Sequence, residues 1–96
     1  MDHYTLKLYV TGRTTRSLSA LQALERICQD RLPGRHVIDL IDLLEQPDLA
    51  SQASVIVTPT VVREHPLPER RVVGDFSSEQ DVVLGLQLPA VSRAQD

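Results

Sequence analysis

The sequence predicts an α/β domain of order βαβαββα, with helices covering a mixed β-sheet. Three observations predict it. Runs that suit strands exchange places along the chain with runs of helical periodicity. The first strand, helix and strand make a crossover unit, the connection that joins parallel strands. The last two strand-like runs are separated only by a short proline-rich connector, as an antiparallel hairpin requires.

The first element, YTLKLYVTG from Tyr4, sets Leu6, Leu8 and Val10 against Thr5, Lys7 and Tyr9 and runs into a turn at Gly12. From Thr14 the spacing changes, and Leu21, Leu24, Ile27, Cys28 and Leu32 recur three or four apart, with Gln22, Glu25, Arg26, Gln29 and Asp30 on the other face. Thr14, Thr15 or Ser17 can cap this helix, because a hydroxyl accepts the orphan N–H groups of a first turn; Pro33-Gly34 stops it. RHVIDLIDLL follows, its Val37, Ile38, Leu40 and Ile41 suiting a parallel strand covered on both faces. A short, exposed second helix begins at EQPDLASQAS, where Pro47 is tolerated at a first helical position and Asp48 meets the positive end of the helix dipole.

The third strand is expected in VIVTPTVVRE, interrupted by Pro59. Proline has no N–H for a sheet ladder, so within a strand pattern it marks an edge, a bulge or a turn, and an X–Pro bond can also be cis. HPLPE, with Pro66 and Pro68, is a stiff connector to the fourth strand, RRVVGDF, which closes at Gly74. In SSEQDVVLGLQL, Ser77 or Ser78 stands three residues before Gln80 or Asp81, as in a capping box, ahead of Val82, Val83, Leu86 and Leu88. Gly85 weakens this third helix by about 1 kcal/mol relative to alanine. Residues 1–88 are therefore expected to form the domain and 89–96 a flexible tail.

The 96 residues suffice for one core, and the apolar share of 42% and charged share of 24% are ordinary for a globular domain. A net charge of -3 with basic residues scattered, apart from Arg70-Arg71, argues against nucleic acid as a partner. MDHYTLKLYV lacks a basic flank and apolar signal core, and no apolar run approaches membrane-spanning length, so a cytoplasmic protein is expected. Cys28 is the only cysteine, which excludes an internal disulfide; a small apolar residue on the inner face of a helix is its expected role. His3, His36 and His65 have no metal-type spacing and read as solvated surface residues, while Asp39 and Asp42, three apart in a strand, point to opposite faces. No phosphate-cradling glycine loop is present, and no cofactor is expected.

A βαβαββα order is the pattern of a thioredoxin-like domain. Such domains carry a cis-proline at the start of the third strand, beside the N-terminus of the first helix, and VTPT sits at the matching place. Redox chemistry there needs a cysteine whose pKa is lowered by the helix terminus, and GRTTRSL supplies none. The same fold binds glutathione in glutathione transferases. Thr14, Thr15 or Ser17 could imitate the thiol-activating residue, and Asp75 with Ser77 could hold a γ-glutamyl group, but hydroxyls at helix starts usually serve as caps. No enzymatic activity is expected.

The chain also resembles a family of small regulators. LKLYVTGRTTRSLSALQAL, VIDLIDLLEQPDLA, VTPTVV, PLPERRVVGDFS and LGLQL follow one another at the spacing of the KaiB family, and the match runs from Tyr4 to Leu88. The resemblance implies a non-enzymatic regulator that binds the N-terminal ATPase ring of a KaiC-type hexamer, in circadian timing or a related stress response. It also implies that KaiA or a SasA-like kinase could share that system, and that the chain could form dimers or tetramers. Family members exchange a ground-state fold, often tetrameric, for a monomeric thioredoxin-like one that binds KaiC, and βαβαββα corresponds to the latter. By the same resemblance, the KaiC contact falls on Asp42, Pro47, Asp48, Leu49, Ala50 and Ser54, with SQAS replacing an acidic stretch that ends in lysine. Pro59, Gly85 and Gln87 fall at positions that shape or switch the fold, Gln87 replacing an aspartate. A free-standing domain of the SasA sensor type is the alternative; the absence of a kinase and the closer match of RRVVGD favour KaiB.

Overall fold

The computed structural model describes residues 2–91. Its elements are β1 Tyr4–Val10, α1 Thr15–Arg31, β2 His36–Asp42, α2 Asp48–Gln52, β3 Thr60–His65, β4 Arg70–Val73 and α3 Glu79–Leu86. This is the predicted order. The strands form one mixed sheet, β2-β1-β3-β4, in which β1 runs parallel to β2 and antiparallel to β3, and β3 antiparallel to β4.

The alternation in β1 assigns the two faces. Leu6, Leu8 and Val10 turn toward α1 and α3 and join Ala20, Leu24, Ile27, Cys28, Val61, Val82 and Leu86 in the main core. Tyr9 turns the other way and, with Ile41 and Val62, forms a smaller cluster under Leu49, Ala53 and Val55. One face is thus covered by two long helical surfaces and the other only in part, by α2. The caps follow the predicted chemistry: the Thr14 hydroxyl accepts the Ser17 amide at 3.1 Å and the Ser78 hydroxyl accepts that of Asp81 at 3.3 Å.

Three expectations are corrected. The third strand starts at Thr60, not Val55, and the residues before Pro59 connect α2 to the sheet; Ile56 is 94% exposed. Pro59 stands just ahead of the ladder, where its missing N–H costs no strand pairing, and its carbonyl accepts the Gly74 amide at 3.0 Å. The Thr58–Pro59 bond is cis, as are His65–Pro66 and Leu67–Pro68. The second strand is not covered on both faces: β2 is an edge, with Val37 half exposed and Ile41 alone in it fully buried. Its apolar run reads like a central strand because Ile38 and Leu40 still line the main core. Finally, His36 is not a free surface residue, since its Nδ1 lies 2.7 Å from the Leu32 carbonyl just past the end of α1.

The third helix ends at Leu86, two residues earlier than its apolar pattern suggests. Gln87 adopts a left-handed conformation at φ 55°, and the Gln87 and Leu88 amides turn back to the carbonyls of Leu84 and Val83. That is a Schellman ending, which brings Leu88 into the core as the apolar residue after the turn. Of the expected tail, Pro89 is held through its carbonyl by Arg31 at 3.0 Å, and residues 92–96 lie outside the described residues.

Candidate functional site

The loops at the C-terminal ends of β1 and β2 are organised by one carboxylate. Asp42 accepts the Gly12 amide at 2.8 Å and the Leu44 amide at 3.0 Å, tying the turn before α1 to the turn before α2. These two amides, Leu44 first, hold its pKa below the ordinary carboxylate value. Gly12 sits at φ 79° with the Leu44 side chain against it, so a larger residue there would be strained and crowded. Nearby, the Thr11 and Thr58 hydroxyls meet at 2.9 Å, joining the turn after β1 to the residue before Pro59.

The helix that follows is small. Pro47 stands at the head of α2, Asp48 is exposed in its first turn, and no residue in it is fully buried. Leu49 and Ala53 anchor it on Tyr9, Ile41 and Val62, leaving Ala50 half-buried. Beyond its end Ser54 turns through the left-handed region at φ 56°, and Val55 returns its amide to the Ala50 carbonyl at 2.8 Å. The six residues singled out for partner contact therefore fall on one stretch of surface, but unequally. Asp48 presents its side chain outward, whereas Asp42 and Leu49 are engaged in holding the loop and the helix.

Beside α2 the uncovered half of the sheet forms a groove of about 380 Å³ lined by Lys7, Tyr9, Leu49, Gln52, Glu64 and Arg71 among others. Lys7 and Glu64 pair across it at 3.1 Å, and that bond raises the Lys7 pKa; burial raises that of the Tyr9 phenol. Arg71, on β4, reaches over the groove to the carbonyls of Ala53 and Ser54 at 2.9 and 3.1 Å.

The position where a thioredoxin holds its thiols is occupied differently. Thr14 donates its hydroxyl to Ser17 Oγ at 3.1 Å while accepting the Ser17 amide, so both hydroxyls serve the helix start. Cys28 is fully buried more than three turns along α1, and burial pushes its thiol up to about 12, far from a reactive thiolate. Asp75 accepts the Ser77 amide at 3.0 Å as part of the turn into α3. Among the described residues, no three His, Cys, Asp or Glu side chains are grouped so as to hold a metal, and no helix is long and apolar enough to cross a membrane.

Pro59, Gly85 and Gln87, the positions expected to shape the fold, do not converge. Pro59 is buried at the head of β3, Gly85 packs against Val72 of β4, and Gln87 closes α3. Two residues outside that set prove more informative. Arg63 is 4% exposed and donates to the carbonyls of Leu86 and Pro68, and Arg71 holds the end of α2. Alternation within β3 and β4 could have put them on opposite faces, but only the pairing of Val62 with Arg71 and Arg63 with Arg70 shows which elements each can reach.

The arrangement puts a short, exposed helix, its flanking turns and a polar groove side by side on one face of the sheet. A family model described as KaiB domain matches residues 7–88. This chain belongs to the KaiB family. It is 40% identical over 88 residues to the circadian clock protein KaiB3 of Synechocystis sp., covering 92% of this chain and 86% of that protein. With the circadian clock oscillator protein KaiB of Synechococcus elongatus it shares 41% identity over 85 residues, 88% of this chain and 83% of that one.

Solved structures place this KaiB-family chain in the thioredoxin-like fold. The N-terminal domain of Synechococcus elongatus SasA superposes with a TM-score of 0.69 at 21% identity, covering 83% of this chain and 76% of that domain. Mitochondrial thioredoxin 3 of Saccharomyces cerevisiae gives 0.69 at 15% identity, over 91% of this chain and 79% of that protein. The relatives in sequence are circadian clock proteins, and the frame on which this KaiB-family chain is built is thioredoxin-like.

Proposed function

We propose that this protein is a non-enzymatic regulator that docks on the N-terminal ATPase ring of a KaiC-type hexamer through α2 and its flanking turns. The KaiB domain match across residues 7–88 carries the reading. The contact surface consists of Asp42, Pro47, Asp48, Leu49, Ala50 and Ser54. Asp48 and the exposed end of α2 touch the partner, while Asp42 and Leu49 set the height and direction of the helix. The protein acts in the cytoplasm, in circadian timing or a related stress response, and KaiA or a SasA-like kinase shares its system where the host has one. Residues 1–88 are the working domain.

The thioredoxin-like packing is the docking-competent state, and a second packing of the C-terminal half, in a dimer or tetramer, serves as its reserve. Two packings of one sequence can coexist when they differ by only a few kcal/mol. Gel filtration of the purified protein, alone and with its host's KaiC-type ATPase in ATP, tests both parts. Co-elution that is lost in Asp48→Lys supports the reading. Failure to co-elute after long incubation rejects it.

A further inference from the structure

We propose that Arg71 is a positioning residue: from β4 it fixes the C-terminal end of α2, and so the surface that α2 offers to a partner. The inference rests on α2 being the docking element and adds what holds that element in place.

The need for such a residue follows from the helix itself. Five residues make a little over one turn, far below the length at which a helix persists unaided in water, and none of them is fully buried. A helix also leaves its last carbonyls without partners inside the helix. In α2 Leu49 and Ala53 supply apolar anchorage on Tyr9, Ile41 and Val62, but a few apolar contacts fix a position without fixing a direction. Arg71 supplies direction. Its Nη2 donates to the Ala53 carbonyl at 2.9 Å and its Nη1 to the Ser54 carbonyl at 3.1 Å, two adjacent acceptors read by one planar fork.

Three further observations agree. Arg71 stands opposite Val62 in the β3–β4 register, on the face that α2 partly covers, so its side chain, though exposed, lies along the groove toward the end of α2. Glu69, two residues earlier, accepts from the same Nη2 at 3.0 Å and holds the guanidinium over the carbonyls. A cation at the C-terminal end of a helix is also favoured by the helix dipole. The bond spans 17 residues between Ser54 and Arg71, so the pose of α2 depends on β4 being paired in this sheet. A KaiB-like chain whose C-terminal half is packed otherwise would lose this tether.

The test uses the full chain with Arg71→Ala and Arg71→Lys, and reads amide hydrogen exchange beside affinity for the KaiC-type ATPase. Arg71→Ala is expected to speed exchange at Ala53 and Val55 about tenfold, leave the β1 amides within about twofold, and weaken binding about tenfold. Arg71→Lys, with a point charge in place of a fork, falls between the two. Unchanged exchange at Ala53 and Val55 overturns the tether. Faster exchange with unchanged affinity overturns its role in docking, and weaker affinity with unchanged exchange shows that Arg71 touches the partner directly, which also overturns the proposal. Asp48→Lys separates the underlying reading: if it leaves affinity intact, or if the wild-type protein binds no such ATPase, α2 is not the docking element, and the exchange result still decides whether Arg71 holds it.

Discussion

Arg63 donates through Nη1 to the Leu86 carbonyl at 2.8 Å, joining the middle of the sheet to the last residue of α3. The same nitrogen lies 3.4 Å from the Gln87 carbonyl, and Nη2 donates to Pro68 at 2.7 Å. The Tyr4 ring lies 6.0 Å below the guanidinium. A buried cation is thus surrounded by carbonyl oxygens, a helix C-terminus and an aromatic face, each of which favours positive charge. It ties β3, the proline connector and α3 into one unit.

Arg63→Met should therefore lower unfolding free energy by about 2 kcal/mol, because the carbonyls of Leu86 and Pro68 lose a charged donor in a buried place. Arg63→Lys should lose less, with one point donor in place of the fork. Urea unfolding measures both. A loss in Arg63→Met below about 0.5 kcal/mol, the range of ordinary surface substitutions, would show that the bonds contribute little.

Gly85 gives the second prediction. Alanine normally gains about 1 kcal/mol over glycine inside a helix. Here a Cβ would run into Val72 Cγ2 across the α3–β4 contact. Overpacking of this kind costs about 1–3 kcal/mol, so Gly85→Ala should be a net loss of about 1 kcal/mol. In a Val72→Ala background the same substitution should turn neutral or stabilising. A double-mutant cycle with no coupling between the two positions would refute the steric account.

At Gln87 the backbone rather than the side chain decides. Its φ of 55° is a conformation that glycine adopts without penalty, whereas an L side chain loses about 1 kcal/mol or more. Gln87→Gly should stabilise the protein by about 0.5–1 kcal/mol in thermal or urea unfolding, keeping the Schellman turn. A destabilised variant would mean that the glutamine side chain carries a contact of its own.

Asp42 sets a pH dependence whose sign is fixed. Its folded-state pKa lies below the ordinary carboxylate value, so near and below that value the unfolded chain binds more protons than the folded one. Its contribution is complete above the unfolded pKa of about 3.9 and is lost as pH falls through the folded one. Asp42→Asn keeps an acceptor oxygen but not the charge. Its stability deficit relative to wild type should be constant near neutrality and should shrink as the pH is lowered below about 4. A deficit independent of pH would assign the effect to geometry alone. Asp75, lowered chiefly by the Ser77 amide, acts with the same sign, so the Asp42→Asn comparison must be made with Asp75 in place.

The order of elements and both side-chain caps were legible because each depends on neighbours in sequence. Thr14 and Ser78 needed only a first turn to cap, and Leu6, Leu8 and Val10 needed only a pleat to share a face. KaiB-family membership was legible in the motifs from LKLYVTG to RRVVGDFS. The limits of the third strand were less so. Val55 to Val57 have strong β character, yet the chain spends them reaching from α2 to the cis proline, because the sheet begins only where Thr60 meets Tyr9. The candidate docking stretch was recognised as a run of residues, while the division between outward Asp48 and the supporting Asp42 and Leu49 was not.

By itself the sequence determined the order of strands and helices, the apolar faces of β1 and α1, and that no thiol stands at the start of α1. The tertiary structure alone decided that β2 is an edge, that Arg63 is buried among carbonyls, and that Arg71 reaches α2. The physical reason is range. Periodicity and capping are written within one turn or a few residues, but the partner of a long cationic side chain depends on strand register, which brings together residues that lie 17 to 23 positions apart.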